Sequence, residues 1–470
     1  MQRILRFSLY TLALGLGLTF AAGLWLTHTD TGRQLHTEVT SRNPNEVIRY
    51  LKKRLQGHNK LEAVLLPPLH ATQRRVERPP PPGPLPSLGK GQQHQPLPNP
   101  VRGLSAVWPV DSPQALREAL LKAGPGTHIV IQPGIYPFSQ KLSVGQGGQV
   151  GAPIVLSARQ PGTVWLEFSQ QEGILVDQPH WVFENLDIRG VCRQHHDCEH
   201  AFHVVGRGAH TTIRNNRISD FNAHIKVNGL KGDWPDHGLL AFNTLRNTSV
   251  RETYNPVVPF DLVGANHWRV QDNLVSHFAK RDGNMVSYGL FMKGASEGGR
   301  IERNLVVCSP SDISRPGVRV GISYGGGGTN AQSCRDQRCD AYEHRQGLAA
   351  NNIVAHCNDT GLDVNRSRQI TLAHNTLINT AGVASRSTLS QARLYGNLFE
   401  GVTRARDGSV LTTEMNISMD AEDTFLNADG LQLQWRQPPR PVPTAEAVET
   451  DFNGHPRGET SYPGAQNRLR

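Results

Sequence analysis

Residues 183–188 read FENLDI, and related phrases return at 213–218 (IRNNRI), 240–245 (LAFNTL) and 270–275 (VQDNLV). Four more copies follow, IERNLV at 301–306, AANNIV at 349–354, LAHNTL at 372–377 and LYGNLF at 394–399. Their asparagines are Asn185, Asn216, Asn243, Asn273, Asn304, Asn352, Asn375 and Asn397, with Asn416 as a candidate last copy. They recur at intervals of roughly 20 to 50 residues, and such a period is typical of a solenoid.

The repeated unit has the pattern of short β-strands. Apolar and polar residues alternate within it, and Gly and Asn interrupt it, which disfavours a helical repeat. We therefore predict an all-β, right-handed, single-stranded parallel β-helix over residues 101–419. In such a fold, coils stack about 4.8 Å apart, and an asparagine at the same turn of each coil can form a hydrogen-bonded ladder.

Two segments near the start of this region, HIVIQPGIYPF (128–138) and APIVLSARQPGTVWL (152–166), carry a family resemblance. They are similar to the first coils of the pectin-lyase-like superfamily, and most similar to its chondroitinase-B and alginate-lyase branch. The resemblance covers roughly residues 105–190 at the level of motifs. It implies the same right-handed β-helix and a carbohydrate-active function.

A set of segments following the asparagine phrases can be aligned as one strand column. They are AFHVVG (201–206), HIKVNG (224–229), PFDLVG (259–264), GLFMKG (289–294), GISYGG (321–326) and GLDVNR (361–366). The second and fourth residues are mostly apolar and should point inward, so the first, third and fifth should point outward. The glycines at the first position should then form the floor of a trough.

This outward face supplies the candidate site. The candidate catalytic residues are Lys226, Lys293, His203, His224 and Asp261. The candidate substrate-binding residues, on the same strands or in adjoining loops, are Asn228, Arg251, Arg319, Tyr324, His344, Asp363, Asn365 and Arg366. A rigid β frame would hold these groups a few ångströms apart, as a catalytic constellation requires.

A cluster of cations and a base suits an acidic, uronate-containing polysaccharide. The cations would neutralise the substrate carboxylate and stabilise an enolate-like intermediate, while a lysine or histidine removes the C5 proton. Loss of the leaving group then gives β-elimination, whereas reprotonation from the opposite face gives epimerisation. The sequence therefore predicts a polysaccharide lyase or a C5-epimerase.

The family resemblance implies a more detailed assignment. Lys293 in FMKG resembles the strand lysine that acts as the base in chondroitinase-B-like lyases. The Arg-His-Gly phrase of the following coil is replaced by GISYGG, so Arg315 or Arg319 would have to substitute for its arginine. The calcium-coordinating acidic arrangement of the family is not recognisable, and we predict no cofactor and no required metal.

Three other interpretations remain open. The face could be an ordinary solvated β surface with mixed charges. A glycoside hydrolase would need two carboxylates about 5–10 Å apart, and Asp261 with Asp363, or with the nearer Asp236, could supply them. A non-catalytic scaffold that binds or guides a polysaccharide during export would use the same trough.

Six cysteines suggest disulfide bonds in an exported chain. Cys192 and Cys198 bracket one loop, and Cys334 and Cys339 bracket another. Cys308 and Cys357 occupy nearly equivalent places on adjacent coils, within disulfide reach if the register holds. A rival interpretation is a metal site in VCRQHHDCEH (191–200), although the strict zinc spacings are absent.

The charge of +9 is concentrated at the N-terminus. Residues 1–100 contain 13 Lys/Arg and 5 Asp/Glu, which gives +8, whereas the other 370 residues contain 36 and 35, which gives +1. The basic composition therefore does not indicate a nucleic-acid partner. It accompanies an uncharged run at 7–26 that follows Arg3 and Arg6, as in a membrane signal.

We predict a signal anchor at 1–30, with the N-terminus cytoplasmic and the β-helix in the periplasm. The alternative is a secreted protein whose signal peptide is cleaved. Residues 31–100 would form a basic helical and Pro-rich stalk, with an amphipathic helix at 45–66 that could lie on anionic lipid. The inner membrane is thus an expected partner, and other envelope or export components could be further ones. Residues 420–470 are predicted to be a cap on the solenoid.

Overall fold

The computed structural model describes residues 48, 51, 52, 55, 58–76, 90–309 without 94 and 98, and 313–467 without 327, 328 and 330. The predicted anchor at 1–30 lies outside these residues. No helix in the described part of the chain is long and apolar enough to cross a membrane. The chain divides into two compact units, Met1–Glu77 and Arg78–Arg470.

Among the described residues of the first unit, Asn59–Val76 form a helix. It begins inside the amphipathic segment predicted at 45–66 and continues beyond it. Pro67 and Pro68 lie within the helix, although each lacks the N–H that the helical hydrogen-bond pattern uses. Pro67 and Pro68, which belong to the predicted Pro-rich stalk, are therefore helical and not extended.

The second unit is built around three long parallel sheets. Sheet 1 contains twelve strands: Ala106–Val110, Thr127–Ile131, Ile154–Ala158, Trp181–Glu184, Thr212–Arg214, Leu239–Ala241, Arg269–Gln271, Arg300–Glu302, Leu348–Ala350, Ile370–Ala373, Gln391–Tyr395 and Val410–Glu414. Sheet 2 contains eleven: Gly134–Phe138, Val164–Phe168, Asp187–Gly190, Arg217–Ser219, Thr244–Arg246, Leu274–Ser276, Leu305–Val307, Ile353–Ala355, Thr376–Ile378, Leu398–Phe399 and Ile417–Ser418. Sheet 3 contains ten: Leu142–Ser143, Glu172–Val176, His200–Val205, Ala223–Asn228, Phe260–Val263, Val286–Lys293, Val318–Tyr324, Leu362–Asn365, Gly382–Arg386 and Val402–Arg406.

The chain visits the three sheets in turn, and each strand pairs in parallel with the corresponding strands of the coils before and after it. This is the predicted parallel β-helix. Shorter elements decorate it: the helices Pro113–Lys122 and Ala421–Thr424, the 3₁₀ turns His195–Asp197, Ala331–Ser333 and Arg335–Gln337, and the strands Ser296–Glu297, His344–Arg345, Ser367–Arg368, Phe425–Asn427, Gln432–Trp435, Val442–Pro443 and Thr460–Ser461.

The predicted asparagine ladder lies at the turn between sheets 1 and 2. The side-chain amide of Asn216 donates to Oδ1 of Asn243 at 3.0 Å, and the same bond repeats on each coil down to Asn397 and Asn416. Asn416 is thus confirmed as the last copy. Asn185 is not part of the ladder. On its coil the backbone N–H of Leu186 donates to Oδ1 of Asn216, so that Leu186 takes the position that an asparagine has on the later coils.

The interior of the solenoid is apolar along its length. Phe202, Ile225, Phe260, Leu290 and Leu362 are fully buried in one continuous cluster. The helix Pro113–Lys122, capped by the Ser112 side chain, adds Leu116 and Leu120 to this cluster beside the first coils. Burial of this apolar surface stabilises the stacked coils.

The C-terminal tail packs along the side of the solenoid. Its Phe425, Leu433 and Phe452 lie in a second apolar cluster with the outward-facing Leu305 and Ile353 of sheet 2. Arg457 binds the side chain of Asn351 and the carbonyl of Gly464. The prediction of an end cap therefore misses this packing, which follows from the apolar outer face of sheet 2.

The described residues just before the first coil, 90–93, 95–97 and 99, also lie against the solenoid and do not project from it as a free stalk. Lys90 pairs with Asp272 at 2.8 Å, and the backbone of Gln92 donates to Thr244. The carbonyl of Asn99 accepts from Arg214. The chain thus runs along the turn between sheets 1 and 2 before it enters the first coil.

Candidate functional site

The register of sheet 3 determines the candidate site. His203 pairs with Lys226 on the next coil, Lys226 pairs with Asp261, and Val263 pairs with Lys293. The residues predicted as neighbours from the aligned segments are therefore neighbours in the sheet.

Asp261 lies between two lysines. Nζ of Lys226 donates to Oδ2 of Asp261 at 2.6 Å, and Nζ of Lys293 lies 3.8 Å from Oδ1. Burial alone would raise the pKa of Asp261, but the charges of the two lysines and the hydrogen bond from Lys226 outweigh it and lower the pKa to about 2. The carboxylate therefore stays ionised, and it holds the ammonium groups of Lys226 and Lys293 close to each other.

Lys293 has a second contact, with an aromatic ring. Its Nζ lies 4.4 Å from the centre of the Phe291 ring, which in turn stacks on Tyr288 at 4.4 Å. The cation–π contact restricts the lysine chain, while the 3.8 Å contact to Asp261 is longer than a hydrogen bond. Lys293 is thus less tightly held than Lys226.

His203 belongs to an adjoining hydrogen-bonded chain. Its Nδ1 lies 2.7 Å from Oε1 of Glu172, and its Nε2 lies 2.8 Å from Oδ1 of Asn228. The bond with His203, against the effect of burial and with help from Lys141, lowers the pKa of Glu172 to about 2. His203 therefore holds Asn228 at the edge of the lysine cluster.

A pocket of about 410 Å³ opens above these residues. Lys226, Asn228, Val263 and Lys293 form its strand side. Its other lining residues come from two loops and are Gly229, Leu230, Lys231, Gly232, Trp234, Thr329, Gln332 and Ser333. Three lysines thus face one cavity, and the carboxylate of Asp261 lies directly behind two of them.

Trp234 is the aromatic wall of the pocket, and the sequence interpretation missed it. Its ring packs so closely on Gly264 that a β-carbon there would lie 2.1 Å from it, and one on Gly229 would lie 2.6 Å away. Arg335 covers the ring at 5.4 Å while pairing with Asp236. A lone tryptophan in the Gly-rich loop GLKGDWPDHG (229–238) was the available signal.

Five of the predicted site residues point elsewhere. His224, Arg251, Arg319, Tyr324 and His344 are all buried, and each makes hydrogen bonds that belong to the structure of the coils. Burial lowers the pKa of His224 to about 4 and that of His344 to about 3. His224 is therefore not on the outward face, and the other four, predicted on or beside the adjoining loops, do not line the pocket.

His224 points inward because the alternation along sheet 3 changes direction at the first residue of each aligned segment. Ala201 and Phe202 are both buried, so the alternation assumed from the sequence begins only after this pair. A β-carbon on Gly289 would meet Val306 and Phe278 inside the solenoid. The first residue of each segment thus faces the interior, and the glycines do not form the floor of a trough.

The last predicted residues lie farther along sheet 3. Asp363 is buried and forms a two-point ion pair with Arg386. Asn365 donates to the carbonyl of Gly326, and Arg366 to that of Cys339. Asp363 is three strands from Asp261, and Asp236 is held by Arg335, so no two of these carboxylates stand free as a hydrolase pair.

Three disulfides join Cys192 to Cys198, Cys308 to Cys357, and Cys334 to Cys339. The pairing suggested by the sequence is confirmed, and Cys192 and Cys198 cannot serve as thiolate ligands in VCRQHHDCEH. The calcium of the resembled family does not fit the lysine cluster either, because both oxygens of Asp261 already face ammonium groups.

No protein-family model matches the chain, and no curated protein matches it. Among solved structures, the pectate lyase Pel9A is similar at 14% identity, with 78% of this chain and 97% of that chain covered and a TM-score of 0.52. A rhamnogalacturonan lyase has 12% identity, coverage of 77% and 97%, and a TM-score of 0.46. A PL6 family polysaccharide lyase from Pseudopedobacter saltans has 13% identity, coverage of 71% and 97%, and a TM-score of 0.37.

The likeness to the pectate lyase confirms the fold. The chain is a right-handed parallel β-helix, the fold that its opening coils predicted. At this level of identity the comparison establishes architecture and leaves the activity to be argued from the site.

Proposed function

We propose that this protein is a polysaccharide lyase or C5-epimerase that acts on a uronate-containing chain. The observation that carries the proposal is the convergence of Lys226 and Lys293 on Asp261, at the base of a pocket walled by Trp234. These groups stand on paired strands of a rigid solenoid, which suits a reaction that depends on positioning.

The pocket has the features of an acidic-sugar site. The part of the Trp234 ring that stays exposed beside Arg335 and Gly264 offers an aromatic contact for a pyranose ring, since sugars present apolar C–H groups to aromatic rings. Lys231 is exposed at the rim and has no ion-pair partner among the described residues, so it can meet the uronate carboxylate. Asn228 provides an amide for a hydroxyl group.

In the reaction, Lys293 first releases its own proton to solvent and then accepts the C5 proton. Its looser contact with Asp261 leaves its nitrogen able to turn towards the pocket. The electron pair left at C5 is delocalised into the carboxylate, where Lys226 and Lys231 stabilise the added charge. Cleavage of the C4–O4 bond, with a proton passing from water to the departing O4, completes elimination, and return of a proton from water to the other face of C5 completes epimerisation.

A binding protein without catalysis is the second candidate. The observation in its favour is that both central lysines share one carboxylate, which suits anion binding and provides no base without a proton shift. Either function would be exercised outside the cytoplasm. The apolar run at 7–26 and the three disulfides support a membrane-tethered protein that faces the periplasm.

The test is turnover of polygalacturonate and alginate by the full-length protein, followed by the ultraviolet absorbance of the conjugated double bond and by NMR of C5. We expect Lys293→Ala to abolish product formation and Lys226→Ala to reduce it at least tenfold, roughly the contribution of a positioned charge. The matched control is Lys122→Ala, an exposed helix lysine. Full activity in Lys293→Ala would disprove the site assignment.

A further inference from the structure

Four histidines form a stacked column on the outer corner between sheets 3 and 1. They are His180, His210, His237 and His267. Successive ring centres are 4.6, 5.1 and 4.9 Å apart, with interplanar angles of 1°, 8° and 16°. Each histidine stands at the equivalent place of its coil, just before a strand of sheet 1. We call this set the histidine ladder.

The corner geometry does not explain why histidine occurs four times in succession. All four have φ near +60°, in the left-handed region where Asn, Asp and Gly are also common. The turn between sheets 1 and 2 has the same requirement but accepts varied residues: Asn185, Asn215, Phe242, Asp272, Arg303, Asn351 and His374. The repetition of imidazole is therefore a property of the surface at this corner.

The ladder has a chemical capacity that the coils themselves do not use. His210, His237 and His267 are exposed, and His180 is half-buried. In the described part of the chain, no hydrogen bond or ion pair holds a ring nitrogen of any of the four. Burial lowers the pKa of His180, and burial together with the charges of His180 and His237 lowers that of His210.

Two ionisable side chains lie near the ladder. Asp236 raises the pKa of His210 but is itself bound by Arg335, and the buried His344 lies behind His267. As the histidines take up protons, they form a row of positive charges with a period close to the length of one sugar in an extended 1,4-linked chain.

The ladder leads directly to the pocket. His237 follows Trp234 by three residues in the same loop. The indole of Trp268, next to His267, donates to the carbonyl of Pro235 at 2.7 Å and fixes this loop to the neighbouring coil. The aromatic wall and the ladder are therefore parts of one connected surface.

We propose that the histidine ladder is a binding track for an acidic polysaccharide, with about one uronate residue over each coil, and that it holds the chain outside the reaction pocket. The inference deepens the proposed function and rests on it for the polymer class. Imidazole N–H groups would donate to successive carboxylates, and the bond would strengthen as the histidines become charged.

The test uses His210→Asn with His237→Asn, since asparagine adopts the left-handed conformation readily and the backbone should be kept. The matched control is His196→Asn, an exposed histidine outside the stack. Both changes are made in a Lys293→Ala background, so that binding of polygalacturonate is measured without turnover. We expect about tenfold weaker binding below pH 6 and a much smaller loss at pH 8, with no loss in the control.

A second variant tests the opposite change, in which the positive charge of the ladder is made permanent. His210→Arg with His237→Arg fixes the positive charge, and Arg303 shows that arginine is accepted in this conformation at the neighbouring turn. This variant should bind as tightly at pH 8 as the wild type does below pH 6. Unchanged affinity in the asparagine variant, or an equal loss for neutral dextran, would overturn the proposal.

The result is separable from that of the proposed function. If the protein turns over no polymer but the asparagine variant loses binding, the track stands and the catalytic assignment falls. If turnover is found and the asparagine variant binds as the wild type does, the track falls and the catalytic assignment stands.

Discussion

Lys226 donates to Asp261 at 2.6 Å across two neighbouring strands of sheet 3. The contact follows from the parallel register, which places the two residues side by side on successive coils. The carboxylate has a second cation on its other oxygen, so that a single buried acid aligns both lysines with the pocket. The fold thus converts two distant positions of the sequence into one constellation.

Asp261→Asn should destabilise the protein and make its stability less dependent on acid pH. The folded-state pKa of about 2 lies below the ordinary value of 3.8, so the carboxylate contributes stability above 3.8 and loses it as pH falls towards 2. Removing one partner of a buried pair costs about 3 kcal/mol. Urea unfolding at neutral pH and at pH values between 4 and 2 should show a difference between wild type and variant that shrinks with acid.

Trp234→Ala should weaken binding of uronate oligomers about tenfold, because the aromatic wall of the pocket is lost. KM should rise more than kcat falls, since the ring contacts substrate and transition state alike. The matched control is Trp165→Ala, whose ring lies on sheet 2 under Arg217. An unchanged KM in Trp234→Ala, measured with short oligomers, would remove the tryptophan from the binding site.

Gly264→Ala should disrupt the pocket, although Gly264 is not itself one of the residues that line it. Its φ is +79°, and its new β-carbon would lie 2.1 Å from the Trp234 ring, so the ring must move. Gly151→Ala is the matched control, with φ of +78° and nothing within 4 Å of the added carbon. The control should lose only about 1 kcal/mol of stability, whereas Gly264→Ala should lose more and also bind uronates weakly.

The Cys308–Cys357 disulfide should be the most stabilising of the three. It links residues 49 apart on adjacent coils, whereas Cys192–Cys198 spans only 6. Loop-closure entropy gives about 4 kcal/mol for the longer loop and about 2 for the shorter. Thermal unfolding of the two double Cys→Ala variants should therefore show the larger drop in Tm for Cys308→Ala with Cys357→Ala. Equal drops would contradict this ranking.

The fold could be predicted because its signal is periodic. The asparagine of each coil faces the same turn, so the repetition from Asn216 to Asn416 records the stacking directly. The same periodicity placed Lys226 beside Asp261, and Asp261 near Lys293. In a parallel β-helix, residues at the same position of successive repeats stack in one column wherever the strands stay regular.

The remaining parts of the site depend on features that do not repeat along the sequence. His224 and Ile225 are both buried although they are neighbours in one strand, and the hydrophobic pattern of the sequence does not mark this break in the alternation. Trp234 reaches the pocket only because its loop folds back on Gly264 of the next coil, a contact that no local pattern encodes. The histidine ladder was periodic and was missed because its residues precede the strands that defined the alignment.

The most direct test of the central claim is exchange of the C5 proton of a uronate polymer in deuterated water, since both elimination and epimerisation require its removal. With the wild-type protein we predict deuterium at C5 or an unsaturated product, and with Lys293→Ala neither. Tight binding of the polymer without exchange or cleavage in the wild type would contradict the catalytic account and leave a binding protein.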